Sequence, residues 1–260
     1  MLRQITNTFH RTYDRQGQFI YICFASACAI FSTIYAAMQH IMNSNYVLLV
    51  LCGGLTKKND FAILFSIWII PSMATAFING TTVSRERIVY RYIAPRYGNR
   101  RTWLLHEIIN LFLYSIYNSL LLIIFGMLAC SINGELSYSA LNPSLLNHET
   151  ASFQYWITDK YIIIELVVMT ILRFTRIGLI MFFSGMLPIH PAQAGITIVL
   201  LIEFLSFIHI NGRTFLFTYF SASLAVIPLA IAFAYGLAEI FWIIGIGSLL
   251  FSKTIQNNQI

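Results

Sequence analysis

The stretch YIIIELVVMTILRFTRIGLIMFFSGML, residues 161–187, decides how this chain folds. It is apolar but for Glu165, Arg173, Arg176 and a few hydroxyls, and it is long enough for a helix to cross a hydrocarbon core about 30 Å thick. Five further runs resemble it, at residues 19–38, 61–78, 108–131, 193–210 and 225–251. The reading is therefore all-α, a polytopic membrane protein with six transmembrane helices. Composition agrees: of 260 residues 58% are hydrophobic and 10% charged, with a mean hydropathy of +0.72, whereas about a quarter of a soluble domain is charged. Soluble globular folds, disorder, collagen, coiled coil and small disulfide scaffolds are all excluded. The Ala25-Ser26-Ala27 triplet lies inside the first run and not after it, so that run reads as a retained span and not as a cleaved signal peptide.

Orientation follows from the basic residues, because Lys and Arg in short loops stay on the cytoplasmic side. With the N-terminus inside, the inner segments hold Arg3, Arg11, Arg15, Arg85, Arg87, Arg91, Arg96, Arg100, Arg101 and Lys253, and the outer ones only Lys57, Lys58, Lys160 and Arg213. Ten against four places both termini in the cytoplasm. The expected layout is an amphipathic interfacial helix at residues 1–17, then a six-span transmembrane domain over 18–260.

Three segments outside the spans carry further information. In residues 1–17, Leu2, Ile5, Phe9 and Tyr13 recur at helical spacing between Arg and polar residues, which suits a helix lying in the membrane interface. The inner loop at 81–106 reads TTVSRERIVYRYIAPRYGNRRTWLLH. Ser84 is a candidate cap for a short separate helix carrying Ile88, Val89, Tyr90 and Tyr92, which Pro95 ends. Arginines alone would serve topology; apolar and aromatic groups among them suit protein docking. The outer loop at 132–160 contains Asn142-Pro143 and several serines and reads as turns. The apolar pieces 46–51 and 215–220 read as re-entrant or interfacial, with the sequence deciding neither.

Charge inside a span is costly, about 2.5–3.5 kcal/mol at the centre, and marks a candidate site. On a helix of 100° per residue Glu165, Met169, Arg173 and Arg176 form one stripe, and Glu203 and Glu239 sit near the middle of the fifth and sixth runs. Two readings stand side by side. In one, Glu165, Arg173, Arg176, Glu203 and Glu239 are an ion-pair network holding spans together; in the other, the arginines line a substrate path and meet an anionic group.

Enzyme signatures are missing from the sequence: it contains no phosphate-binding loop, HExxH or GxSxG. Cys23, Cys28, Cys52 and Cys130 form no CxxC pair and read as buried thiols. No metal site is expected, and no nucleic-acid partner despite the net charge of +6.

The amphipathic start, the basic inner helix between spans two and three, and six spans with inner termini together resemble the membrane (permease) subunit of an ABC-2 type exporter. The turn Pro95-Arg96-Tyr97-Gly98-Asn99-Arg100-Arg101-Thr102-Trp103 is similar to the Arg-x-Gly-x-Arg-x-x-Trp segment of small bacterial permeases of the peptide and bacteriocin-immunity type. The resemblance implies a multi-pass protein of the bacterial plasma membrane that is a transport subunit and not itself an enzyme. It implies two copies of a separate ABC ATPase holding ATP and Mg, and a second copy or homologue of the membrane subunit. Residues 82–94 would then be a coupling helix, with Arg85, Glu86, Arg87, Tyr90 and Arg91 docking the ATPase and Arg96 and Arg101 supporting them. The expected cargo is amphipathic, a peptide or lipid-like molecule. The competing readings are an ATP-independent secondary transporter or channel, which an internal repeat would favour and this chain lacks, and a structural subunit of a membrane complex.

Overall fold

The computed structural model describes residues 15–41, 43–52, 61–93, 100–132, 162–185, 191–207, 209–210, 213–214 and 229–257; for some helical residues, Glu165, 81–93 and 100–101 among them, it describes the backbone alone. The described elements are α1 (Arg15–Met38), α2 (Ser44–Cys52), α3 (Phe61–Ile93), α4 (Arg100–Ile132), α5 (Ile162–Ser184), α6 (Pro191–Phe207) and α7 (Leu229–Asn257). Between α6 and α7, His209–Ile210 (β1) pairs antiparallel with Arg213–Thr214 (β2). The described residues are thus all-helical apart from this two-residue pairing.

Among the described residues four helices are long and apolar enough to cross a membrane, over Gly17–Met38, Ala62–Gly80, Thr102–Ile132 and Leu166–Ser184. That is the make-up of a membrane-embedded protein. The two remaining expected spans correspond to shorter apolar stretches, Gln193–Leu205 in α6 and Phe233–Leu249 in α7.

The stretch that decided the sequence reading is the centre of the bundle. From Leu172 to Gly185 every residue is buried, and α5 packs against α2, α3, α4, α6 and α7. A helix covered on all sides is a core helix. Its neighbour α1 packs on α2, α3 and α4; Tyr21 of α1 sets its ring edge-on to Phe174 and donates its hydroxyl to the Asn118 carbonyl at 2.8 Å.

The apolar piece left open at 46–51 is α2, all nine of whose residues are buried. Local chemistry brings it there. Helix α1 closes with His40 at a positive φ of 56°, while the N–H groups of His40 and Ile41 bond the carbonyls of Ala37 and Ala36, the pattern of a Schellman end. Asn43 then caps α2, its side chain accepting the Asn45 N–H at 2.8 Å. Gly126 makes room for α2, since a Cβ there would stand 2.8 Å from Leu48 and 3.0 Å from Leu51.

Two expectations are corrected. No separate helix begins at Ser84, because the helical backbone runs unbroken from Phe61 to Ile93; a serine hydroxyl in mid-helix has the preceding turn's carbonyls to bond and need not cap. Cys23 is exposed, whereas Cys28, Cys52 and Cys130 are buried as expected, all four as free thiols. The expected interfacial helix lies outside the described residues up to residue 14, as do the outer loop from residue 133 and the piece 215–220.

Helix α7 packs chiefly against α5. At that contact a Cβ on Gly247 would overlap the Phe183 ring, which is itself 6% exposed. Gly247→Ala is therefore expected to destabilise by about 1–3 kcal/mol through overpacking. Thermal unfolding in detergent checks this, and an unchanged midpoint would remove the close α5–α7 approach.

Candidate functional site

The buried charges come from three helices and meet in the middle of the bundle. Arg173 and Arg176 stand three residues apart on α5, so both project to the same side. Glu203 reaches them from α6, and all three residues are 0–1% exposed. Arg173 approaches Glu203 Oε2 with Nε at 2.9 Å and Nη2 at 2.8 Å, and Arg176 Nη2 lies 2.7 Å from Oε1. One carboxylate thus binds two guanidinium groups, one through each oxygen.

Helix α3 completes the arrangement. Pro71 sits inside this helix and lacks the N–H that would bond the Ile67 carbonyl. The next carbonyl along, Trp68 O, accepts from Arg173 Nη2 at 2.8 Å. The Arg173 guanidinium carbon also lies 3.6 Å from the Trp68 ring centroid, a cation–π contact in a dry site. Ser72 donates to Glu203 Oε2 at 3.4 Å. Below this level, the Cys52 thiol of α2 lies against the Thr170 hydroxyl.

Glu239, the fourth charge, is held differently. It comes from α7, its side chain is 15% exposed, and its one ion pair is Arg176 Nη1 to Oε1 at 3.4 Å. Glu239 Oε2 has no hydrogen-bond partner among the described residues, and neither has Arg173 Nη1. Two arginines and two glutamates sum to zero formal charge, which lets the interior hold them. The tight half is Glu203 with both arginines; the loose half is Glu239.

Of the expected site residues, the structure brings Arg173, Arg176, Glu203 and Glu239 together. The side chain of Glu165 lies outside the described set. Arg85, Glu86, Arg87, Tyr90 and Arg91 belong to the far end of α3 and Arg101 to the first turn of α4, with their side chains outside the description, and Arg96 lies outside the described residues altogether.

Two features escaped the sequence reading. Trp68 and Ser72 hold the network from α3, and the available signal was Pro71, which frees backbone carbonyls inside a membrane helix. The second is a polar stripe on α4, where His106, Glu107, Asn110, Tyr114 and Asn118 fall within 120° of one another and are all at most 6% exposed. Ending the inner loop at His106 and starting the third span at Ile108 left His106 and Glu107 outside the span, whereas α4 begins at Arg100. Among the described residues, no group of three or more His, Cys, Asp or Glu is placed to hold a metal ion.

No family model, curated protein or solved structure matches the chain. The fold and the site together define its class as a membrane-embedded helical bundle built around a buried, charge-neutral Arg–Glu network.

Proposed function

We propose that the chain is the transmembrane subunit of an ATP-driven exporter of the ABC-2 type, moving an amphipathic substrate across the bacterial plasma membrane. In this reading α6 and α7 are the fifth and sixth spans and both termini are cytoplasmic. ATP and Mg belong to a partner ATPase, and a second membrane subunit supplies the other half of the path. One observation supports it above the rest. A single unbroken helix, α3, carries the basic segment with Arg85, Arg87 and Arg91 at one end and holds the charge network through Trp68 and Ser72 at the other.

Its geometry suits transmission of a push. The 33 residues of α3 span about 50 Å at 1.5 Å per residue, roughly 20 Å more than the hydrocarbon core. From Trp68 to Arg87 the helix rises about 28 Å at the same pitch. An ATPase docking on the projecting end would move a continuous helix whose other end touches Arg173 and Glu203. The surplus length is what a span alone does not require.

The test is gentle purification of the tagged chain from its host, scored for a phosphate-loop ATPase in the same complex. With Arg87→Glu and Arg91→Glu combined, ATPase recovery is expected to fall by about tenfold or more, since like charges facing each other cost several kcal/mol. Absence of any ATPase from the native complex, together with unaltered function in the double variant, contradicts the reading.

A further inference from the structure

We infer that the Arg173–Arg176–Glu203–Glu239 network is a proton-gated binding site for the anionic head group of an amphiphile, with Glu239 as its displaceable occupant. The inference deepens the exporter reading and rests on it for the amphipathic cargo.

The asymmetry of the network carries the argument. Glu203 is committed, with each of its oxygens engaged by an arginine at 2.7–2.9 Å. Among the described residues Glu239 offers one contact of 3.4 Å and leaves Oε2 without a partner in a buried setting. On the other side Arg173 is 1% exposed and its Nη1 also has no hydrogen-bond partner among the described residues. Guanidinium donors of this kind match carboxylate, phosphate or sulfonate oxygens.

Charge balance makes the site depend on protonation. With both glutamates ionised the four groups sum to zero. Once Glu239 is neutral, two arginines face one carboxylate and the site carries a net +1 that an anion neutralises. No preformed void is needed, because the ligand's head group takes the place of the Glu239 carboxylate. The groups that face Glu239 are Arg176 and, beyond it, Arg173 on α5 and Glu203 on α6, while α3 presents the Ser72 hydroxyl and Trp68, and α2 the Cys52 thiol near Arg173. Anion affinity is therefore fully present below the pKa of Glu239 and is lost as pH rises through it.

The ligand's tail has an adjacent surface. Tyr235, Glu239, Trp242 and Ile246 recur at helical spacing along one stripe of α7. Their exposures are 49% for Tyr235, 70% for Trp242 and 50% for Ile246. A lipid-like chain lying on this apolar strip would present its head group at the one partly exposed charge of the network. Helix α7, which packs chiefly on α5, is the element that would shift.

The experiment is direct binding of radiolabelled N-dodecanoyl taurine, used below its micellar concentration, to the full chain in neutral dodecyl maltoside from pH 5 to pH 8. The sulfonate stays ionised throughout, so any pH dependence belongs to the protein. Wild type is expected to bind more weakly as pH rises, by about tenfold or more between the forms with Glu239 neutral and with Glu239 ionised. Glu239→Gln, which fixes the neutral form, is expected to bind about tenfold or more tightly than wild type at pH 8 and without the wild-type pH dependence. N-dodecanoyl ethanolamine, with the same tail and an uncharged head, and methanesulfonate, with the head and no tail, are each expected to bind at least about tenfold more weakly. Binding of wild type that does not change with pH overturns the inference, as does a Glu239→Gln variant that keeps the wild-type profile. Equal binding of the ethanolamine compound removes the anion site, and equal binding of methanesulfonate removes the amphiphile. Should Glu239→Gln not fold, the wild-type pH series decides alone. No ATPase enters the assay, so its failure leaves the docking result standing.

Discussion

Glu203→Gln is expected to lower stability by about 3–5 kcal/mol, because it leaves buried charge without its counter-charge. The substitution keeps the shape of the side chain and removes only its charge, yet Arg173 and Arg176 both depend on that carboxylate and both are buried. Neither arginine reaches solvent. The remaining acid, Glu239, approaches only Arg176 and at 3.4 Å, so it does not replace Glu203 at Arg173. Thermal unfolding and size exclusion in detergent check the result. Glu203→Asp, which keeps the charge on a shorter arm, should fall between wild type and Glu203→Gln. A Glu203→Gln protein as stable as wild type would mean that the arginines are held by other means.

Trp68→Ala is expected to cost a similar amount, about 3–5 kcal/mol, from the lost packing of a fully buried indole. Trp68 is 0% exposed and is among the largest completely buried side chains. Its ring also covers the Arg173 guanidinium at 3.6 Å, an interaction worth up to about 2 kcal/mol when desolvated. Trp68→Phe keeps an aromatic face over the guanidinium and should lose less than half as much. Trp68→Leu, bulky but without an aromatic face, should lose more than Trp68→Phe, and equal losses for Phe and Leu would show that the ring contributes bulk alone and no cation–π contact.

How far the sequence foretold this can be judged residue by residue. Arg173, Arg176, Glu203 and Glu239 were legible because charge in an apolar run is rare and because helical spacing fixes which side chains share a face. Their unequal engagement was not legible, since it depends on interhelical distances that no periodicity carries. Trp68 was invisible as a partner for a related reason: an indole in an apolar run looks like core. The burial of α2 was equally hidden. Nine residues are too few to span, and it is their complete burial in the structure, with Gly126 leaving room, that shows they fill the bundle. Ser84 misled because capping residues are also common inside membrane helices, where their hydroxyls bond the preceding turn, as Thr75 does to the Pro71 carbonyl at 2.9 Å. The span count was read from hydropathy alone, which weighs composition and says nothing of how much of a helix is regular over its apolar stretch.

The central claim is that Glu203 pins the bundle while Glu239 is held loosely. Two double-mutant cycles on thermal stability, Arg173→Gln with Glu203→Gln and Arg176→Gln with Glu239→Gln, measure it most directly. The expected coupling is about 2 kcal/mol or more for the first pair and about 1 kcal/mol or less for the second. Equal couplings, or a larger one for Arg176 with Glu239, would contradict the account.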